Sequence, residues 1–341
     1  MKPYISVIIT DFNRKDFILN AVKSAVNQSI HRSYYEVIVV KNYIDDKIDK
    51  ILNNLGVKVV NTKDENQGKM IYDAVTIAEG EVLSFLDDDD EFLNNKLERV
   101  ILFFSKYDVD YHKNLRIFID KKGNYIKKED AYDKPLFVDN DEICKKINIL
   151  MRNGIMVNSS TISIRKEIIE KEKELLKKLP LGVDSFFFTS FVKHGRRLVL
   201  DNNYLTLYRV HANQSFMDRH NFEKFAIKRL ESAKKFIISY SMLLEALENS
   251  INCQRSCILK YITSLLLRSK IVYNIYGSLL GHGTSYKISI FDIIHLFKYP
   301  MINSDNIFDY LKLYMFVLLN YFPRPFKYIG AKLEYNLNKS S

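Results

Sequence analysis

Four consecutive carboxylates, Asp87-Asp88-Asp89-Asp90, follow the apolar run Glu81-Val82-Leu83-Ser84-Phe85-Leu86. Carboxylates one residue apart can hold a hard divalent cation between protein and phosphate oxygens. Crowded together they repel, so the ionised cluster is costly without a cation. A strand ending there would deliver them to the C-terminal edge of an open α/β sheet, where ligands of such sheets bind. The plainer alternative is a solvated acidic turn. Phe85-Leu86 before the run and Glu91-Phe92 after it favour a partly buried setting.

The chain upstream supplies the elements that must position these groups. Tyr4 to Thr10, Glu36 to Val40 and Val57 to Val60 read as buried strands, being β-branched and nearly continuous. Helical spacing of Phe17, Ile18, Ala21, Val22, Ala25 and Val26 predicts a helix between the first two strands, and Asp45 to Leu55 predicts another after the second. A third helix opens at Asn66-Gln67-Gly68-Lys69, runs to about Ala78 and is closed by Gly80. This alternation predicts a parallel sheet with helices on both faces. No glycine-rich dinucleotide fingerprint or phosphate-cradling Gly-Lys-Ser/Thr loop is present, so metal on carboxylates is the evident way to hold phosphates. Further on, Leu115 to Asp120 and Asn124 to Ile126 predict a hairpin around Lys121-Lys122-Gly123, and Arg165 to Lys178 a solvated surface helix.

Ser6-Val7-Ile8-Ile9-Thr10-Asp11-Phe12-Asn13-Arg14 resembles the opening of glycosyltransferase family 2. Asn66-Gln67-Gly68, Ala74, Gly80-Glu81 and Phe85 to Asp90 are similar to that family's next landmarks, in order. Gly182-Val183-Asp184-Ser185, then Gly195, then Tyr208-Arg209-Val210-His211 look like its second half. The resemblance spans roughly residues 4 to 215. It implies a GT-A fold, an open and mostly parallel sheet flanked by helices, and inverting sugar transfer from a nucleotide diphosphate sugar of UDP or GDP type. Two other classes stay open: a nucleotidyltransferase, and a non-catalytic binder of sugar nucleotides or glycans.

The resemblance also implies roles. Asp87 and Asp89 match the metal-binding Asp-x-Asp motif, Asp89 as the direct ligand of Mn²⁺ or Mg²⁺. Asp88 takes the variable place, and Asp90 supports the ligands. A metal on the diphosphate acts as a Lewis acid on the leaving group. Asp184 matches the general base; at a helix start it also suits an N-cap, and the two roles are compatible. His211 would ligate the metal or bond the diphosphate, an isolated histidine being otherwise structural. Thr10, Asp11, Asn13, Arg14, Asn42, Asn66, Gly68, Lys69, Asp87, Asp88 and His211 are the donor-binding candidates. The chain departs from the family at Lys41-Asn42, where an acidic pair is usual. Asn42 can still donate to and accept from a base, Lys41 would add a charge toward phosphate, and Asp11 would compensate. Asn153 to Ile164 resembles the segment that shapes acceptor sites, and for Asn158 to Thr161 contacts to sugar hydroxyls or an ordinary strand and turn are both open.

A chain of 341 residues with three cysteines does not suggest a disulfide framework, and a reduced, cytoplasmic setting fits. The charge is uneven: residues 216 to 341 carry 17 Lys+Arg against 9 Asp+Glu, most of the net +10. This divides the chain into a catalytic domain, 1–215, and a basic helical region, 216–341. Within the latter, Ile307 to Phe322 is nearly all apolar but shorter than a spanning helix, with Arg324 and Lys327 beside it. That pattern suits a helix lying in a membrane interface. It implies peripheral contact through 286–330, at the cytoplasmic face and near a glycan or lipid-linked acceptor. A buried helix in a homodimer is the alternative. Nucleic acid is the poorer explanation, and none is expected as a partner, because no binding motif accompanies the charge.

Overall fold

A computed structural model describes residues 2–12, 15–211, 221–249, 256–283, 286–299 and 314–340. The first four strands are β1 (Ile5–Asp11), β2 (Tyr35–Lys41), β3 (Lys58–Asn61) and β4 (Val82–Asp87), separated by α1 (Ile18–Val26), α2 (Asp46–Asn54) and α3 (Gln67–Ile77). They lie in the order β3-β2-β1-β4, parallel throughout. β1 and β2 are buried along almost their whole length, as strands covered by helices on both faces must be. Asp45 caps α2, its Oδ1 accepting from the Lys47 and Ile48 backbone N–H groups at 3.2 Å.

The second half is mixed. After β5 (Glu91–Phe92) and α4 (Lys96–Ile101) come β6 (Tyr111–Ile119), β7 (Tyr125–Lys128), β8 (Leu136–Asp139) and α5 (Ile143–Arg152). β9 (Ile162–Arg165), α6 (Val183–His194) and β10 (Arg197–Arg209) follow. β9 inserts between β4 and β6 and runs antiparallel to both, whereas β6 and β10 are parallel. The predicted hairpin is β6–β7, with Gly123 at φ +90° in its turn. The predicted helix over Arg165 to Lys178 is instead two short ones, Lys166–Lys171 and Lys173–Leu176. They break at Glu172, which accepts from Lys193 and bonds His194.

Residues 1–146 and 155–210 form one compact unit; 147–154 and 211–341 form a second. The second is helical: α7 (Phe222–Glu248), α8 (Ser256–Leu279), α9 (Ile290–Lys298) and α10 (Arg324–Ser340). Its core gathers Phe225, Leu230, Ile271, Ile275, Tyr276, Phe316, Val317, Ala331 and Tyr335. Of the apolar stretch Ile307 to Phe322, residues 307–313 lie outside the described residues. Within the rest, Phe316, Val317 and Leu319 are core, while Tyr314, Leu318, Tyr321 and Phe322 are exposed. No described helix is long and apolar enough to cross a membrane. Cys253 lies outside the described residues.

Gly80 links α3 to β4 and lets the chain touch β1. Its N–H donates to Ser6 Oγ at 2.9 Å, and a Cβ there would lie 2.5 Å from the Ser6 nitrogen. Gly80→Ala should therefore lower stability by about 1–3 kcal/mol, the usual cost of overpacking. A urea midpoint unchanged from wild type would contradict this packing.

Candidate active site

The register aligns the tips of the parallel strands. Thr10 on β1 pairs with Val40 on one side and Asp87 on the other, and Asp11 pairs with Lys41. β4 is buried until Asp87, the first residue to emerge. There Asp87, Asp89 and Asp90 bring one carboxylate oxygen each within 4.8 Å of one another. Two full charges at that separation repel by roughly 3–4 kcal/mol at an effective dielectric of 20.

The cluster is held by a short turn and one arginine. Ser159 Oγ donates to Asp87 Oδ1 at 2.7 Å, and the Asp87 N–H donates to Ser160 Oγ at 3.0 Å. Asp90, only 1% exposed, accepts from the Arg209 N–H at 3.0 Å and from Asn158 Nδ2 at 3.1 Å. The Arg209 side chain donates to Glu91 and, from Nε at 2.9 Å, to the Asp89 carbonyl, so its role is to fix the loop. Burial, with repulsion from Asp89 and Asp87, still pushes the Asp90 carboxyl up to about 8.

Beneath the turn lie two buried lysines. Lys96 on α4 donates to Asn114 Oδ1 at 2.7 Å and to the Ser160 carbonyl at 2.8 Å. Lys113 on β6 donates to Thr161 Oγ1 at 2.7 Å and to the Val157 carbonyl at 3.0 Å. Burial holds both ammonium groups down, Lys113 to about 7. The Val157 and Ser160 carbonyls thus face lysines, while the Asn158 N–H and the Ser159 hydroxyl face carboxylates.

Asp184 lies in the first turn of α6. Its Oδ1 accepts from the Ser185 N–H at 2.9 Å and its Oδ2 from the Asn158 N–H at 3.1 Å. Burial raises its carboxyl above the ordinary aspartate value, while those two N–H groups and the Lys113 charge oppose the rise. Phe187, one turn along α6, stacks on Phe85 with centroids 3.9 Å apart. Phe85 shares a strand face with Asp87. This stack therefore fixes the base candidate relative to the cluster, and adds about 0.5–1.5 kcal/mol beyond burial.

Other candidates have different surroundings. Lys41 does not meet phosphate: it is fully buried, donating to the Tyr43 carbonyl at 2.6 Å and pairing with Asp49 at 2.9 Å. Asp11 is buried and accepts from the Tyr43 hydroxyl. Asn42 has a buried Oδ1 without a partner, as an awaited ligand donor would leave it. Asp88 is buried beside the cluster. Asn66 precedes α3 without capping it. Lys69 pairs with Asp73 at 2.5 Å. Gly68 is needed for packing: its N–H donates to the Leu179 carbonyl at 3.0 Å, and a Cβ would lie 2.1 Å from the Leu176 carbonyl oxygen. Asn13 and Arg14 lie outside the described residues. His211 directly follows Val210 and opens the second unit. The sequence reading missed Lys96, Lys113 and Tyr43; a lysine inside the strand run Tyr111 to Leu115 was the available signal for one of them.

A mixed sheet with a carboxylate-tipped strand and a second acid on a facing helix defines a class of transferase, and comparison with known proteins agrees. Residues 6–172 match the family described as Glycosyl transferase family 2. An uncharacterized glycosyltransferase of Methanocaldococcus jannaschii is 23% identical over 64% of this chain and 74% of its own length. The Escherichia coli UDP-Glc:alpha-D-GlcNAc-diphosphoundecaprenol beta-1,3-glucosyltransferase WfaP is 24% identical over 61% and 78%. In fold, the chain is similar to a mannosyltransferase of Pyrobaculum calidifontis solved with GDP-Man and Mn²⁺, at a TM-score of 0.54 and 12% identity, covering 100% of this chain and 86% of that one. Residues 6–172 are a family 2 glycosyltransferase domain, and the chain is a glycosyltransferase of GT-A fold.

The carboxylate cluster fits a divalent cation. Its donors are all hard oxygens, and Asp87, Asp89 and Asp90 bring one each within 4.8 Å of one another. Asp89→Ala should abolish Mn²⁺ binding in a titration with the metal alone, and should not lower the metal-free melting temperature, since it relieves repulsion. Mn²⁺ affinity equal to wild type would remove Asp89 from the ligand set.

Proposed function

We propose that the first unit moves a sugar from a nucleotide diphosphate sugar to an acceptor hydroxyl with inversion, Asp184 being the general base. The observation that carries this reading is one raised carboxyl, Asp184, tied through Asn158 to a carboxylate cluster at the same sheet edge. Asp87, Asp89 and Asp90 are the residues to hold Mn²⁺ or Mg²⁺, with His211 a further candidate. The cation supplies Lewis-acid charge to the leaving diphosphate. Asn42 and Thr10 lie on the donor side, the unpaired Asn42 Oδ1 being free to accept from a nucleobase. Asp184 takes the acceptor proton as the hydroxyl attacks, and its raised affinity for protons suits that task. One base and no covalent intermediate give inversion. Nucleotidyl transfer and binding without turnover are set aside by the family.

Donor binding by solved neighbours supports a sugar nucleotide: TarS of S. aureus was solved with UDP-GlcNAc and the mannosyltransferase with GDP-Man. The acceptor of the E. coli relative is a diphosphoundecaprenol glycan. A lipid-linked acceptor here would place the second unit at a membrane surface, and its last helix supports that. On α10, Lys327 and Glu334 are buried while Phe326, Ile329, Leu333 and Leu337 are 50%, 55%, 49% and 60% exposed. Their spacing makes one apolar stripe. Ile290, Phe291 and Ile294 of α9 are exposed as well, and Lys287, Lys298, Arg324 and Lys332 supply basic charge. Apolar insertion and attraction to anionic lipid add in such helices. A homodimer through the same stripe is the second reading.

Asp184→Asn should keep donor binding and lower turnover by about 10²–10⁴-fold. In the wild type, turnover should fall as pH drops through the Asp184 titration, at a pH above the usual aspartate range, because the protonated acid cannot act as base. Near-normal turnover in the variant, or a product of retained configuration, would exclude Asp184 as base. For the surface, Ile329→Asp with Leu333→Asp should reduce flotation with anionic liposomes and leave donor binding unchanged. Unaltered flotation contradicts the membrane reading, and a shift from dimer to monomer without lipid binding favours the homodimer.

A further inference from the structure

Asn158 joins two groups that the reaction needs to keep in register. Its backbone N–H reaches Asp184 Oδ2 at 3.1 Å, and its side-chain Nδ2 reaches Asp90 Oδ2 at 3.1 Å. The two bonds leave one residue in opposite directions along its own chain, one from the backbone and one from the amide. The backbone bond depends on an unusual conformation: Asn158 has φ +65° and ψ +99°, one of two non-glycine residues with positive φ among the described residues. Asparagine tolerates positive φ better than most side chains, and glycine tolerates it freely. The residue is 8% exposed, yet its Oδ1 is buried without a partner. A buried amide oxygen left unpaired is costly. Strain and an unpaired atom at one residue are features that persist when a site is built for a ligand.

The neighbours rule out a loose turn. The Thr161 hydroxyl and N–H both donate to the Asn158 carbonyl, at 2.7 and 3.1 Å. Lys113 holds Val157 and Thr161 on either side, and Ser159 and Ser160 are engaged with Asp87. Asn158 is therefore held from all sides but Oδ1.

We propose that Asn158 is the positioning residue of this site, setting the Asp184 carboxylate by its N–H and the Asp90 carboxylate by its Nδ2, and that its Oδ1 accepts from a hydroxyl of the bound sugar substrate. The inference rests on the inverting reading of Asp184. Its two halves separate chemically. Asn158→Gly keeps the positive φ, and with it the N–H bond to Asp184, but loses both amide contacts. Asn158→Ala loses the amide and also disfavours the backbone conformation.

The test compares wild type, Asn158→Gly and Asn158→Ala in steady-state transfer with Mn²⁺, alongside thermal unfolding and nucleotide-sugar titration. Both variants should raise KM by a similar factor, about 5–20-fold, through the lost amide. Turnover should fall about 100-fold in Asn158→Ala and be restored at least 10-fold by glycine, although glycine is the smaller residue. Equal turnover in the two variants, or losses that follow only their melting temperatures, would overturn the proposal. If wild type neither binds nor transfers from any nucleotide sugar, the inverting reading itself fails. If wild type transfers and both variants match it, only the role of Asn158 fails.

Discussion

Negative charge crowded at one sheet edge is the constraint from which the rest of the site follows. Three carboxylates within 4.8 Å of one another repel more strongly than any single hydrogen bond can offset, since a bond to a charged group contributes about 1.5–3 kcal/mol. The protein answers in layers. Ser159, Ser160, Asn158 and the Arg209 N–H donate to the cluster or accept from it directly. Lys96 and Lys113 anchor the turn that carries most of those donors. Burial and the neighbouring carboxylates still raise the Asp90 carboxyl, the strain that a bound cation would relieve.

The same turn ties the acceptor side to the donor side. Through Asn158 it touches Asp184, and the Phe85–Phe187 stack ties the helix of one to the strand of the other. A shift of the turn would move the carboxylate cluster and Asp184 together. Reactions that break one bond as another forms need that kind of rigidity, because a displacement of about 1 Å can cost 10²-fold in rate.

Much of this was legible in the chain. The four parallel strands, their three helices, the β6–β7 hairpin and the place of Asp87 at a strand end follow from continuous apolar runs and a few turn residues. Asp184 at a helix start was legible through its motif. The turn at 157–161 was not, because positive φ at an asparagine and a lysine beneath it are set by tertiary contacts that no local pattern encodes. Lys41 misled for a related reason: a lysine at a strand tip reads as exposed charge, but Asp49, on the helix that follows, draws it inward. The packing role of Gly68 was hidden as well, since sequence shows a missing side chain but not what lies against it. The apolar stretch near the C-terminus could not be divided into faces from sequence, and Tyr314, Leu318, Tyr321 and Phe322 are exposed there. Phe316, Val317 and Leu319 are core, and the exposed stripe is carried by α10, whose buried face holds a lysine and a glutamate.

The central claim is that the carboxylate edge recognises the diphosphate of a sugar nucleotide only together with a divalent cation. Calorimetric titration of the wild-type chain with a panel of UDP- and GDP-sugars, in Mn²⁺ and again in excess chelator, tests it most directly. The account predicts that at least one donor binds in Mn²⁺ and loses about 100-fold or more in affinity on chelation. A donor bound equally well in both conditions would contradict it.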